Sequence, residues 1–253
     1  MKTWGITDIG LKRHENQDTF AFESFGALRS VVAVVCDGMG GVKGGQLASA
    51  LAVSAFMDEL RRLAEEGMTV EQVREMASAC VRQANLAVYN RSRESEEYRG
   101  MGTTLVSVIT SPEIAVVCNV GDSRAYHIGA ESIRRITRDH SVVEDMVESG
   151  EISREEARIH PKRNLITRAL GPDRNTACDT FAVPVAAGDY LLLCTDGLTG
   201  TVPDEELFAT VRAAEDGGAA LERLLELSKG RGAPDNVTAV LILNNGEEAR
   251  VNG

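Results

Sequence analysis

The sequence predicts an α+β fold in which two packed antiparallel sheets carry helices on their outer faces. Three observations support this. Short β-type runs recur at about 4–9, 19–25, 30–36, 103–110, 114–120, 123–128, 131–136, 180–184, 189–195 and 236–243, each bounded by Gly, Asp, Asn or Pro. Long patterns of helical period interrupt them in two places only, each time as an adjacent pair. Strands that follow one another without an intervening helix pair as hairpins, whereas a parallel sheet needs a crossover after each strand.

Taken in order, the run "VVAVVC" at 31–36 is apolar throughout and ends in Asp37 and a cluster of glycines. An uninterrupted apolar strand is one covered on both faces. The first helix pair is expected over 44–67 and 69–97. In the second of these Val70, Val73, Ala77, Cys80, Val81, Ala84 and Val88 form one stripe, and Thr69 with Gln72 resembles a capping box. The second pair is expected over 203–214 and 218–230, with Pro203 at an N1-like position and Gly230 at a C′-like one. Residues 141–165 are polar and broken, and read as a mobile excursion near a site. No repeat or Pro-rich linker marks a boundary, so a single domain over 1–245 is expected, followed by a short flexible tail at 246–253.

Composition narrows the function. Hydrophobic content of 43% and charged content of 26% are those of a soluble globular protein, and no apolar run is long enough for a membrane span. The N-terminal stretch lacks the apolar region of a secretory signal, so a cytoplasmic location is expected. The five cysteines are scattered with no C-x-x-C pair, which points to buried thiols and to neither disulfides nor zinc. A net charge of -11 without a basic cluster argues against nucleic acid as a partner.

Aspartates recur where strands end. Asp37, Asp122 and Asp196 follow the runs "VVAVVC", "AVVCNV" and "YLLLC", and Asp235 precedes "NVTAVLIL", as an antiparallel neighbour would place it at the same sheet edge. Each alone is an ordinary turn residue. Four carboxylates brought into one small volume repel one another unless a cation sits among them. Oxygen-only ligands select hard ions such as Mg²⁺ or Mn²⁺, and the histidines (His14, His127, His140, His160) lack the spacing of zinc ligands. The glycines after Asp37 would let the Gly38 carbonyl approach such an ion. In the polar loop "TDIGLKRHENQDTF", Arg13 stands near Asn16 and Asp18; its fork of donors matches phosphate oxygens, which suggests phosphate-ester chemistry.

The ordered stretches "RHENQD", "VVCDGMGG", "MGTTL", "NVGDSRAY", "TRDHS", "NLITRALG", "LLLCTDGLTG" and "DNVTAVLI" resemble metal-dependent protein phosphatases of type 2C, over nearly the whole chain. They are most similar to the compact bacterial members that oppose Ser/Thr kinases. The resemblance implies a four-layer α-β-β-α sandwich with residues 141–165 as a flap over the site. It implies that Asp37 bridges two Mn²⁺ or Mg²⁺ ions, with Asp196 and Asp235 completing the first and the Gly38 carbonyl contributing to the second. Asp122 would hold a third, weaker ion. Arg13 would hold the substrate phosphate, and Asp18 would orient water or reach a metal directly. Phosphorylated proteins, a cognate Ser/Thr kinase among them, would be the partners of a monomeric enzyme.

Two departures are visible. Met39 stands where many eukaryotic members have a histidine that protonates the leaving group, which leaves the general acid unassigned among water, His14, His140 and His160. Gln17 replaces a glutamate found beside the second metal in some members, so weaker binding there, and a need for millimolar manganese, are expected. Two other readings share these features: a catalytically weak relative acting as a regulatory binding module, and a two-metal phosphodiesterase or nuclease, which the acidic composition disfavours.

Overall fold

The computed structural model describes residues 1–246, save the side chains of residues 41–43; all but the first residue of the expected tail lies outside the described residues. Eleven strands are present among them: β1 Lys2–Asp8, β2 Asp18–Phe25, β3 Ser30–Met39, β4 Gly102–Thr103, β5 Leu105–Thr110, β6 Ile114–Val120, β7 Arg124–Ile128, β8 Ile133–Arg135, β9 Asp179–Pro184, β10 Tyr190–Cys194 and β11 Val237–Leu243. One sheet runs β1-β11-β10-β7-β8, the other β2-β3-β5-β6-β9 with β4 against the end of β3. Every pairing is antiparallel.

Strand β3 explains the layering. With a side-chain period of two, Val31, Ala33 and Val35 enter the core between the sheets, while Val32, Val34 and Cys36 pack toward helices α1 Gly41–Leu63 and α2 Val70–Ser92. On the other sheet, Leu191 and Leu193 of β10 face the shared core. Leu192 and Cys194 instead meet the cluster formed with α6 Asp204–Ala213 and α7 Gly217–Gly230. The four expected layers are therefore present. Four of the cysteines are buried, Cys178 is half-buried, and all five are free thiols.

Helix ends differ from the expectation in physically legible ways. α1 stops at Leu63, where the Ala64 backbone turns extended, and α2 at Ser92, short of the expected 67 and 97. The capping box is real: Gln72 N–H donates to Thr69 Oγ1 at 3.3 Å, and Gln72 Oε1 accepts from Thr69 N–H at 2.8 Å. Val70, though on the expected stripe, is 38% exposed, and Met76 is buried instead. Pro203 is the N-cap and not N1, while Gly230 remains helical and Gly232, at φ +96°, takes the left-handed position after the helix.

Residues 141–165 contain two helices that periodicity missed, α3 Val142–Glu148 and α4 Arg154–Ile159; the one-turn α5 Asp196–Thr199, outside that stretch, follows β10. They are too short for an apolar stripe, yet Ser141 and Ser153 cap the first two, the latter in a full capping box with Glu156. No helix of the described residues is long and apolar enough to cross a membrane.

Candidate active site

At one end of the sandwich, where strand ends from both sheets meet, a cavity of about 620 Å³ is lined by Arg13, Asp37, Gly38, Asp122, Asp196 and Asp235. Asp37 lies within β3, which does not end at residue 36 as the apolar run suggests but continues to Met39 by pairing with β4. Asp196 opens α5 two residues past the end of β10, and Asp235 stands two residues before β11, the antiparallel neighbour of β10. A Cβ on Gly197 would lie 1.9 Å from the Asn236 carbonyl oxygen, so only glycine lets the segments carrying these two aspartates approach. Likewise a Cβ on Gly38 would lie 2.0 Å from the Gly45 carbonyl, which keeps β3 and the first turn of α1 in backbone contact.

Asp18 is not among the residues lining this cavity. It stands opposite Asp37 in the β2–β3 register and is 7% exposed; its Oδ2 accepts from Thr195 Oγ1 at 2.9 Å while Oδ1 has no partner. Asp122 occupies the turn between β6 and β7, beside Gly121 at φ +106°. Arg13 Nη2 donates to Asp235 Oδ2 at 2.6 Å, which leaves the rest of the guanidinium fork at the cavity.

Asn236 is a site residue that the sequence reading passed over. Its Oδ1 accepts from Gln17 N–H, and its Nδ2 donates to the carbonyls of Ile9 and Glu15, each at 2.9 Å, so one buried amide pins both ends of the loop carrying Arg13. Thr195 is another. The signal for both was a polar residue inside a buried run, next to an aspartate.

Asp18, Asp37, Asp122 and Asp196 are held in an environment that disfavours their charged forms. Burial pushes Asp18 up to about 7, helped by the charges of Asp196 and Asp235 and opposed by hydroxyl donors from Thr238 and Thr195. Burial also raises Asp37, with Asp18 and Asp196 as charged neighbours, and raises Asp122 and Asp196. Buried like charges gathered in this way favour a cation among their oxygens. Among the described residues no three His, Cys, Asp or Glu side chains close into a ready-made metal cage. The carboxylates nevertheless suit hard divalent ions, because buried Asp18 Oδ1 and Asp196 Oδ1 have no hydrogen-bond partner and every donor is oxygen.

The histidines divide. His14 lines the cavity. His140 does not: its Nδ1 accepts from Gly121 N–H at 3.0 Å, its Nε2 meets Asp179 at 3.2 Å, and its own N–H donates to the Gly121 carbonyl at 2.9 Å. It is 5% exposed and holds the Asp122 turn in place. His160, at the C-terminal end of α4, accepts from Lys162 N–H through Nδ1.

Residues 12–227 match the family model for protein phosphatase 2C. The chain belongs to the protein phosphatase 2C family. Serine/threonine phosphatase stp of Listeria innocua serovar 6a is 34% identical over 240 residues, covering 94% of each chain. The crystal structure of the serine/threonine phosphatase Stp1 from Staphylococcus aureus superposes with a TM-score of 0.89 at 34% identity, covering 96% of this chain and 94% of that one. The catalytic domain of the serine/threonine protein phosphatase PstP, crystallised with two manganese ions, superposes with a TM-score of 0.80 at 30% identity, covering 95% and 96%. The phosphatase fold is thus the α+β sandwich expected from the sequence, and the enzyme is a bacterial-type serine/threonine protein phosphatase of a metal-dependent family.

Proposed function

We propose that this phosphatase hydrolyses phosphoserine and phosphothreonine in proteins with two divalent ions, Mn²⁺ or Mg²⁺, held by Asp37, Asp196, Asp235 and the Gly38 carbonyl. Asp122 would serve a third, weaker ion. When bound, such ions acidify water to give a nucleophile near neutral pH and neutralise charge on the phosphoryl group. Arg13 faces the same cavity and, while held by Asp235, offers its remaining N–H donors to the phosphate oxygens. Asp18, gripped by Thr195, stands opposite Asp37 on the neighbouring strand and would serve as a fixed acceptor for a water or a metal. Asn236 would hold in place the loop that presents Arg13, through its bonds to the Ile9 and Glu15 carbonyls.

The observation that carries this reading is the group of buried carboxylates with raised pKa and orphaned oxygens, gathered from both sheets beside an arginine. Its substrates would be phosphoproteins of the cytoplasm, a cognate Ser/Thr kinase among them, met by a monomeric single domain over 1–245 with residues 141–165 as its flap. Release of phosphate from a phosphothreonine peptide should depend on added manganese and stop with chelator. Hydrolysis that persists in excess chelator would overturn the metal role.

A further inference from the structure

Two consecutive threonines of the "MGTTL" stretch grip the peptide groups of Asp37. The Asp37 N–H donates to Thr104 Oγ1 at 2.9 Å. The Asp37 carbonyl accepts from Thr104 N–H at 2.9 Å and from Thr103 Oγ1 at 2.8 Å. The β3–β5 register runs to Val35 with Val106 and the β3–β4 pairing resumes it at Gly38 with Thr103; between them Asp37 keeps one backbone bond, from Thr104 N–H, while its own N–H goes to the Thr104 hydroxyl. Both threonines are buried, at 0% and 3% exposure.

Thr104 also reaches the other side of the cavity. Its Oγ1 lies 2.7 Å from Ser123 Oγ, which is fully buried and follows Asp122 directly. Having accepted the Asp37 N–H, Thr104 has its one proton free for Ser123. Its Cγ2 methyl stands 2.6 Å from where a Cβ on Gly121 would be, so the side chain is wedged against the same turn. One hydroxyl pair thus joins the strand that delivers Asp37 to the turn that delivers Asp122.

We infer that Thr104, with Ser123 as its partner, is a positioning residue that fixes Asp37 and Asp122 relative to each other and so sets the affinity of the site for divalent ions. This rests on the metal-centre reading above. Thr104 acts through the backbone of one carboxylate and the turn of the other. Groups that orient metal ligands typically change metal affinity by about 10–100-fold when removed. Valine keeps the shape of threonine and removes only the hydroxyl, while serine keeps the hydroxyl and removes the methyl.

The test is calorimetric titration of manganese chloride into the metal-free full chain, free of substrate. Thr104→Val should weaken manganese binding by about 10–100-fold and lower kcat more than it raises KM. Thr104→Ser should restore both. Ser123→Ala should weaken binding on its own, and the pair of changes should cost less than the sum of the two. If Thr104→Val does not fold, Ser123→Ala and Thr104→Ser decide the matter. Wild-type affinity in Thr104→Val or Ser123→Ala would overturn the inference, as would failure of serine to restore binding, because the methyl against Gly121 would then be what matters. A wild-type chain that binds no manganese would overturn the metal-centre reading instead.

Discussion

Arg13 Nη2 and Asp235 Oδ2 meet at 2.6 Å across 222 positions of sequence. The Arg13 side chain is 53% exposed and that of Asp235 27%, and an ion pair so open to water adds little to stability. Its value is chemical: it aims a guanidinium into the carboxylate cavity. Arg13→Ala should therefore melt near the wild-type temperature yet lose about 10²–10³ in kcat on a phosphothreonine peptide, the loss usual for a group that neutralises developing charge. Arg13→Lys should recover only part, since a point charge cannot serve Asp235 and a phosphate as a fork does. Unchanged turnover in Arg13→Ala would remove it from the site.

The buried carboxylates give an unusual dependence on pH. Asp18 is pushed up to about 7, and Asp37, Asp122 and Asp196 are also raised. A carboxyl raised by folding favours the folded state below its unfolded pKa and loses that contribution as pH rises through the folded value. Chelated protein should thus melt at a higher temperature near pH 6.5 than near pH 8. Further acidification works the other way through His140, lowered by burial, whose neutral form the fold requires. Saturating manganese should abolish the trend, because ions and protons compete for the same oxygens. Scanning calorimetry decides it; a chelated protein that gains stability from pH 6.5 to 8 contradicts the account.

Gly38→Ala places a methyl carbon 2.0 Å from the Gly45 carbonyl, against backbone on both sides. Neither β3 nor α1 can yield without moving Asp37. A loss of roughly 1–3 kcal/mol in unfolding free energy is expected, together with weakened manganese binding. Denaturant melts and metal titration measure both, and an alanine variant with native stability would show that the backbones are not locked there.

The segment over 141–165 is tied down by Glu144, which is 5% exposed and accepts from Arg135 Nη2 at 3.0 Å and from both terminal nitrogens of Arg154 at 3.1 Å. Behind it, Arg124 binds Asp139 through Nε and Nη2. Glu144→Ala leaves two arginines without their shared anion. It should cost about 1–3 kcal/mol, at the low end for a buried pair because Arg154 is 60% exposed. Limited proteolysis should then cut within residues 149–165 sooner than in the wild type; equal cleavage rates would show that Glu144 does not anchor the segment.

Much of this was legible in the chain because period and punctuation agreed. The alternation of β3 between two cores follows from its unbroken apolar run, and Asp196 and Asp235 meet because β10 and β11 are antiparallel. What stayed hidden had no periodic signature. Helices α3 and α4 are one to two turns long, and Asn236 acts through an amide whose partners lie more than two hundred positions away. The ordinary reading of Asp-Gly as a turn also misplaced the end of β3, since the pairing with Gly102 and Thr103 lies some sixty residues downstream.

Strand β11 is the last in sequence among the described residues yet lies between β1 and β10, and Asp235 comes just before it. A polypeptide still emerging from the ribosome has neither that carboxylate nor the central strand that joins Lys2–Asp8 to its own sheet. On the proposed metal centre, hydrolysis therefore waits for β11, because only then is this sheet joined and Asp235 beside Asp196.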